Sequence, residues 1–183
     1  MGRLTIMIAA TSVLLAATRA ESQTPRDSVV ATVNEFFRAM TARDTAALAR
    51  VQFADGIQYA ARMQGDSVAI RRGTFEGFSQ QLAGISDTYV ERMWEPTVLV
   101  HGPLAVVWAP YDFHRNRTFS HCGVDAFTLL RSPTGWKIAT VSYTTESTGC
   151  KPSPLGPLRA QAAGGSSDKC RFPPRSFDVR MKG

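Results

Sequence analysis

The residues with the clearest chemical potential lie together in one short stretch, His121-Cys122-Gly123-Val124-Asp125. Histidine exchanges protons near neutral pH, a buried aspartate does so when its pKa is raised, and cysteine forms disulfides or acts as a nucleophile. An alternating apolar strand follows to Leu130, then a turn at residues 132–135 and a second strand that begins at Trp136. The pattern predicts a β-hairpin whose polar end lies beside a pocket.

The register of this hairpin decides which side chains share a face. A turn at residues 132–135 pairs Arg131 with Trp136, and counting away from the turn pairs Asp125 with Ser142. A slip by one residue would exchange the two faces, so the assignment depends on the turn. The face expected to point inward consists of Asp125, Phe127, Leu129, Trp136, Ile138 and Ser142. Asp125 then lies at the wetter rim of an apolar set.

The first 20 residues have the features of a secretory signal. Arg3 precedes an apolar run at residues 6–17, and the small residues Thr18 and Ala20 suit cleavage after Ala20. The run is too short to span a bilayer comfortably, and no other segment has the length and apolarity of a transmembrane helix. We expect export to the periplasm or the medium of a bacterium, with residues 1–20 removed.

The basic balance of the chain comes from its carboxyl-terminal residues. Residues 151–183 are rich in Pro, Gly and Ser and carry seven Lys and Arg against two Asp, which predicts a flexible basic tail. Residues 21–150 carry twelve basic against thirteen acidic side chains. The domain therefore has no expected nucleic-acid partner. Attraction of the tail to anionic envelope surfaces is a weaker alternative to a solvated tail.

Residues 21–150 have the size of one domain, and their first part predicts helices. Thr24 suits the cap of a first helix, Pro25 its first position and Asp27 its first turn. Asp44 suits the cap of a short helix at residues 45–51. A weaker third helix is expected around residues 74–84. The apolar stripe of the first helix contains Val29, Val30, Val33, Phe36, Phe37 and Met40.

The second part of the domain predicts strands. A strand is expected at residues 56–61, and further strands at residues 88–100 and 104–114 contain Pro96 and Pro110. Proline marks a sheet edge or a bulge because it donates no ladder hydrogen bond. Helices followed by strands predict an α+β fold, in which a curved, mostly antiparallel sheet wraps around the amino-terminal helices.

Several segments resemble the nuclear transport factor 2-like superfamily, and most closely its exported lumazine-binding and polyketide cyclase-like bacterial members. The similar segments are Val33-Asn34-Glu35-Phe36-Phe37, residues 44–48, residues 94–105, Trp108-Ala109-Pro110-Tyr111-Asp112-Phe113, residues 121–127 and residues 135–138. The resemblance covers roughly residues 26–150. It implies a cone formed by a curved sheet, a cystatin-like roll, and a homodimer through that sheet.

The resemblance also implies roles for individual residues. Catalytic members of the superfamily place an Asp, or an Asp and a His, inside the cone, so Asp125 becomes the expected acid or base and His121 its neighbour. The alternative is an Asp125 that only hydrogen-bonds Ser142 or a loop backbone. A small apolar or aromatic ligand would contact Trp108, Tyr111, Phe127, Trp136 and Ser142, although these aromatic residues also suit a core.

The cysteines and histidines offer two further arrangements. Cys122 and Cys150 lie at hairpin ends, and we expect a disulfide between them if the chain turns back at residues 147–149. Cys170 is then unpaired or intermolecular. A nucleophilic Cys122 is a weaker alternative, because adjacent strand residues point apart. His114 and His121, with Cys122 or Asp112, match no standard metal-site spacing, so we predict no metal and no cofactor.

Two functions remain open on the residues alone. The first is an exported binding or accessory domain that holds a small apolar or aromatic molecule in its cone. The second is a cofactor-free isomerase, dehydratase or cyclase that uses Asp125 as acid or base. The superfamily includes isomerases, dehydratases, cyclases, hydrolases and proteins that only bind, so membership alone does not decide between them.

Overall fold

The computed structural model describes residues 24–158, which form three helices and a seven-stranded sheet. In chain order the elements are α1 (Pro25–Ala42), α2 (Thr45–Val51), β1 (Gln52–Gln64), β2 (Ser67–Thr74), α3 (Phe75–Gly84), β3 (Tyr89–Met93), β4 (Thr97–His101), β5 (Leu104–Arg115), β6 (Thr118–Ser132) and β7 (Gly135–Thr144). The predicted signal at residues 1–20 and residues 159–183 of the predicted tail lie outside the described residues.

The helices begin where their capping residues predict. The Thr24 side chain accepts a hydrogen bond of 3.2 Å from the Asp27 amide, and Asp44 accepts one of 2.8 Å from the Ala47 amide. Thr74 caps α3 in the same way through the Gly77 amide at 3.0 Å. Each cap satisfies an amide that has no partner inside its helix, which fixes the first turn. In the described part of the chain, no helix is long and apolar enough to cross a bilayer.

The strands form one open sheet in the order β2-β1-β7-β6-β5-β3, with β4 also paired to β5. Every pair is antiparallel except β1 with β7. The prediction of an α+β fold with a mostly antiparallel sheet beside amino-terminal helices is confirmed. The strand predicted at residues 56–61 lies within β1, whereas β2 had no counterpart in the prediction.

Pro96 and Pro110, the two prolines of the strand region, lie at the same break in the sheet. Pro96 falls between β3 and β4, where neighbouring strands pair with the two halves of β5. The carbonyl of Pro110 accepts a hydrogen bond of 3.2 Å from the Trp94 amide, so Pro110 faces the break between β3 and β4. A residue without an amide hydrogen fits there because the ladder is already interrupted.

The predicted register of the hairpin holds near its turn and then fails. Arg131 pairs with Trp136 and Leu129 with Ile138, as expected, but Thr128 pairs with Thr140. One extra residue on β7 forms a bulge, and bulges shift every later side chain by one position. Asp125 therefore lies opposite Tyr143, and the pairing predicted with Ser142 is wrong.

The core lies between α1 and the inner face of the sheet. The ring of Phe127 on β6 packs edge-on against Phe36 at 6.0 Å and Phe37 at 5.8 Å, both on α1. Edge-to-face geometry at this distance is favourable for aromatic pairs. The remaining space on the same face, beyond Phe127 along the strands, is not filled by side chains and becomes the cavity described below.

A disulfide fixes the chain after β7 to the outer face of the sheet. Cys122 and Cys150, 28 residues apart, are joined as expected. Backbone hydrogen bonds between Cys122 and Glu146, both 2.9 Å, begin the return of the chain. Further along, the Gly156 carbonyl accepts a hydrogen bond of 2.9 Å from the Arg92 guanidinium. Cys150 is thus joined to β6, and residues 151–158, the first part of the predicted tail, contact β3 through Gly156.

Candidate functional site

A cavity of about 650 Å³ lies between the inner face of the sheet and helices α1 and α3. Strand alternation places every second residue of a strand on this face, so β6 contributes His121, Asp125 and Phe127, and β5 contributes Tyr111 and Phe113. A cavity of this size is in the range that encloses a small organic molecule. Four residues predicted for the site, Tyr111, His121, Asp125 and Phe127, are therefore brought together in its wall.

The polar centre of the wall is a pair of carboxyl groups, Glu91 on β3 and Asp125 on β6. Asp125 is 1% exposed, and its Oδ2 receives no hydrogen bond from an N–H or hydroxyl group of residues 24–158. The neighbouring carboxyl group is that of Glu91, close enough for the two groups to share a proton. Two carboxyl groups are hydrogen-bonded to each other only when one of them holds a proton.

Burial sets the protonation of this pair. Burial, together with the charge of Asp125 and the hydrogen bond to it, raises the pKa of Glu91 well above its ordinary range. Burial raises the pKa of Asp125 to about 7, against the opposing effect of the hydrogen bond with Glu91. Near neutral pH the pair therefore holds at least one proton between its two carboxyl groups, and it exchanges another as the pH passes about 7.

His121 lies in the wall as an uncharged ring. It stacks on Phe113 at a centroid distance of 4.7 Å, with Tyr111 edge-on at 5.8 Å. Burial and then the positive charge of Arg62 lower the pKa of His121, which keeps the ring neutral at pH 7. The Nδ1 atom of His121 is hydrogen-bonded to the Ser120 hydroxyl at 3.1 Å. Within residues 24–158, the ring has no hydrogen bond to Asp125.

The Tyr111 hydroxyl is held in place by the backbone. It donates a hydrogen bond of 2.7 Å to the Thr144 carbonyl, and burial is the main reason that the pKa of Tyr111 is raised. The same carbonyl would lie 2.1 Å from a side-chain carbon placed at Gly123. Only glycine allows this close approach, so Gly123 permits the contact that orients Tyr111.

Three residues predicted to contact a ligand lie outside the cavity. Trp108 is 55% exposed on the outer face, because it lies three positions before Tyr111 on a strand whose side chains alternate between faces. Ser142 is exposed on the outer face because of the bulge in β7. Trp136 is on the inner face but is buried in the core near the hairpin turn. Trp108, Trp136 and Ser142, which were predicted to contact a ligand, therefore do not line this cavity.

Three residues that line the cavity were not predicted from the sequence, namely Glu91, Arg62 and Arg71. A signal for Glu91 exists in Tyr89-Val90-Glu91-Arg92-Met93, where an acid shares a strand face with Tyr89. Tyr143 also lines the cavity, because the bulge in β7 places it opposite Asp125 on the inner face. The arginines belong to a hairpin of which only one strand was predicted.

The structure does not bring together the residues considered above as metal ligands, His114 and His121 with Cys122 or Asp112. His121 faces the cavity, whereas His114 lies with Asp112 and Arg92 on the outer side of β3 and β5. Cys122 is held in the disulfide. Within residues 24–158, no three His, Cys, Asp or Glu side chains form a group with metal-site geometry.

Solved structures with the same fold support the resemblance found in the sequence. A nuclear transport factor 2-like protein from Cytophaga hutchinsonii is 12% identical, with a TM-score of 0.56, over 67% of this chain and 99% of that one. A superfamily protein from Salmonella enterica serovar Typhimurium is 14% identical, with a TM-score of 0.52, over 77% and 96%. A third, from Novosphingobium aromaticivorans, has a cystatin-like fold and is 18% identical, with a TM-score of 0.52, over 69% and 84%.

These similarities confirm that the chain has the nuclear transport factor 2-like fold. No protein-family model matches the sequence, and no curated protein matches it significantly. Identity below 20% establishes the fold and no activity. The function has to be argued from the cavity itself.

Proposed function

We propose that this domain binds a small organic molecule in the cavity, in contact with the Glu91–Asp125 pair. The observation that carries the proposal is the position of these two carboxyl groups in the wall of a space of about 650 Å³. A buried carboxyl group with a raised pKa, such as Asp125, destabilises a fold, so its position in the wall of a cavity is typical of a functional site. The ligand contacts the pair with one end and the rings of Phe113 and His121 with its body.

A matched pair of variants tests this binding. Ala60 on β1 lines the cavity, whereas its neighbour Ala61 pairs with the exposed Ile70 on the opposite face. We expect a library of small organic molecules, screened by saturation-transfer NMR, to give binders that Ala60→Trp abolishes and Ala61→Trp retains. The new indole fills the space in the first variant and lies in solvent in the second. Binders that survive Ala60→Trp, or a library without binders, would contradict the proposal.

A second candidate function, proton transfer on the bound molecule, is favoured by one observation. The pKa of Asp125 is raised to about 7, which is near the optimum for a group that both takes and gives protons at neutral pH. Glu91 supplies the second carboxyl group, and a reaction of this type needs no cofactor. The chemistry would be isomerisation, dehydration or cyclisation at a carbon next to a carbonyl group.

Deuterium exchange tests the catalytic candidate directly. For a panel of ketones and esters in heavy water, we expect wild-type protein to speed exchange at the carbon beside the carbonyl, and Asp125→Asn to lower that rate by roughly 10²- to 10⁴-fold. Asp55→Asn, at an exposed position of β1, is the control and retains the rate. Equal rates in wild type and Asp125→Asn would leave binding as the function.

We propose that the domain works after export, as a periplasmic or secreted protein. The signal features of residues 1–20 and the Cys122–Cys150 disulfide support this, because disulfides persist in oxidising compartments. Mass spectrometry of the protein from its host tests the export, with an expected amino terminus at Glu21.

We also propose a homodimer through the sheet, because the side chains of Leu99, Leu104 and Trp108 are exposed on its outer face. Sedimentation at twice the monomer mass is the expected result.

A further inference from the structure

Three arginines of the β1–β2 hairpin, Arg62, Arg71 and Arg72, line the cavity, and strand alternation places Arg62 and Arg71 on the inner face. Arg62 pairs with Ala69 and Arg71 with Ala60, so the two arginines are diagonal neighbours on the inner face. Within residues 24–158, neither forms an ion pair with a carboxylate. By contrast Arg115 on β5, which also lines the cavity, is paired with Asp87.

The charge of the cavity wall is therefore unbalanced at this hairpin. Arg115 and Asp87 offset each other, and the Glu91–Asp125 pair retains a proton near neutral pH. Arg62 and Arg71 add two positive charges that residues 24–158 do not neutralise by contact. Both charges act on the interior, since Arg62 contributes to the lowered pKa of His121 and Arg71 opposes the rise in the pKa of Tyr143.

We propose that the molecule bound in this cavity is a small organic anion, whose charged group is held by Arg62 and Arg71 while its apolar body lies along the aromatic wall. The inference rests on the proposed binding function and specifies its ligand class. Guanidinium groups match the planar, two-oxygen shape of carboxylates and bind them with paired hydrogen bonds. Two unpaired arginines also disfavour a cationic ligand, although the carboxyl pair alone would attract one.

The position of the arginines orients the ligand. Phe113 on β5 and Phe78 on α3 line the same cavity as the two arginines, and they supply flat apolar surface. With the charged group at Arg62 and Arg71, the uncharged part of the molecule is directed inward and brings its polar substituents to Asp125. The anionic group of the ligand is thus bound by the arginines, and the opposite end of the ligand contacts the carboxyl pair.

Two fluorescent probes that differ in one charge test this inference. 1-Anilinonaphthalene-8-sulfonate carries a sulfonate, and N-phenyl-1-naphthylamine has the same rings without it. We expect full-length protein to bind the anionic probe about tenfold more tightly, the effect of one or two charge-assisted hydrogen bonds. Arg62→Gln and Arg71→Gln should each weaken binding of the anionic probe about fivefold. The double variant should bind the anionic and the neutral probe equally well. Affinity for the neutral probe should change less than about twofold.

Matched controls separate the cavity from other surfaces. Arg131→Gln, at an exposed end of β6 outside the cavity, should leave both affinities unchanged. Trp108→Ala, on the exposed outer face, should do the same, whereas Ala60→Trp should abolish binding of both probes. Loss of binding in Trp108→Ala with retention in the arginine variants would place the probes on the outer face and overturn the inference.

The outcomes distinguish this inference from the binding function beneath it. Equal affinities for the two probes, or full binding of the anionic probe in the double arginine variant, would overturn the anion while leaving the cavity as a binding site. Failure of both probes to bind in an Ala60-dependent way would overturn the inference together with the proposed function.

Discussion

Replacing Asp125 by Asn is expected to raise the free energy of unfolding at pH 8 by roughly 2 to 4 kcal/mol and to change it little at pH 4. In the folded protein the pKa of Asp125 is about 7, whereas the ordinary value is 3.8. Between these values the folded state holds a proton that the unfolded state has released. Stability therefore falls as the pH rises from about 4 to about 7, and asparagine avoids this loss because it does not ionise.

Urea unfolding at pH 4, 6 and 8 measures this effect. The curves of wild type and Asp125→Asn should converge at pH 4, where Asp125 is protonated in the fold, and separate as the pH rises. Asparagine keeps the shape of the aspartate side chain, and its side-chain carbonyl oxygen can still accept a hydrogen bond. Asp55→Asn is the matched control at an exposed position. A variant less stable than wild type at pH 8 would show that the Asp125 carboxylate stabilises the fold.

This prediction bears on function as well as stability. A side chain that weakens its own fold at physiological pH is retained only where its chemistry is needed, which is the usual relation between activity and stability at a site. Gain of stability together with loss of binding or proton transfer in Asp125→Asn would therefore establish a functional role. Glu91→Gln should also stabilise the protein at pH 8, because burial raises the pKa of Glu91 too.

Removing the Cys122–Cys150 disulfide is expected to lower the free energy of unfolding by about 3 to 4 kcal/mol, on the chain-entropy relation for a loop of this length. The bond closes 28 residues that include the whole of β7, so the unfolded chain gains much freedom when it is absent. Removal of the disulfide is also expected to loosen residues 150–158, where the Gly156 carbonyl accepts a hydrogen bond from Arg92.

The variant for this test is Cys122→Ala/Cys150→Ala, compared with intact protein in a Cys170→Ser background so that no thiol exchange occurs. Guanidinium unfolding with and without dithiothreitol gives the free energies. The reductant should destabilise the intact protein and have no effect on the double variant. Hydrogen exchange should increase first at residues 146–158. An unchanged unfolding midpoint would show that the strand ladder alone holds β6 and β7 together.

Much of the fold was predictable because its signals are local. Thr24, Asp44 and the apolar spacing along α1 define helices through contacts three or four residues apart, and the structure confirms all three predicted helices. The turn at residues 132–135 likewise fixes the pairing of Arg131 with Trp136. The alternation along the hairpin also placed Asp125 on the inward face, where it is 1% exposed in the cavity wall.

The errors in the site come from features that have no local signal. The extra residue in β7 depends on how that strand pairs with β6 and β1, and it exchanges Ser142 for Tyr143 on the inner face. Trp108 was grouped with Tyr111 by residue type, although strand alternation places the two on opposite faces. Strand β2 was missed because its inner face lines the cavity and carries Arg71 instead of a hydrophobic residue.

By itself the sequence determined the helices, the final hairpin, the disulfide partners and the choice of Asp125 as the acidic group inside the fold. Only the tertiary structure decided what meets Asp125. Glu91 lies 34 residues earlier in the chain, and Arg62 and Arg71 lie on a hairpin at the far side of the sheet. Their approach depends on strand order and register, which are properties of the assembled sheet, because no contact between neighbours in the chain encodes them.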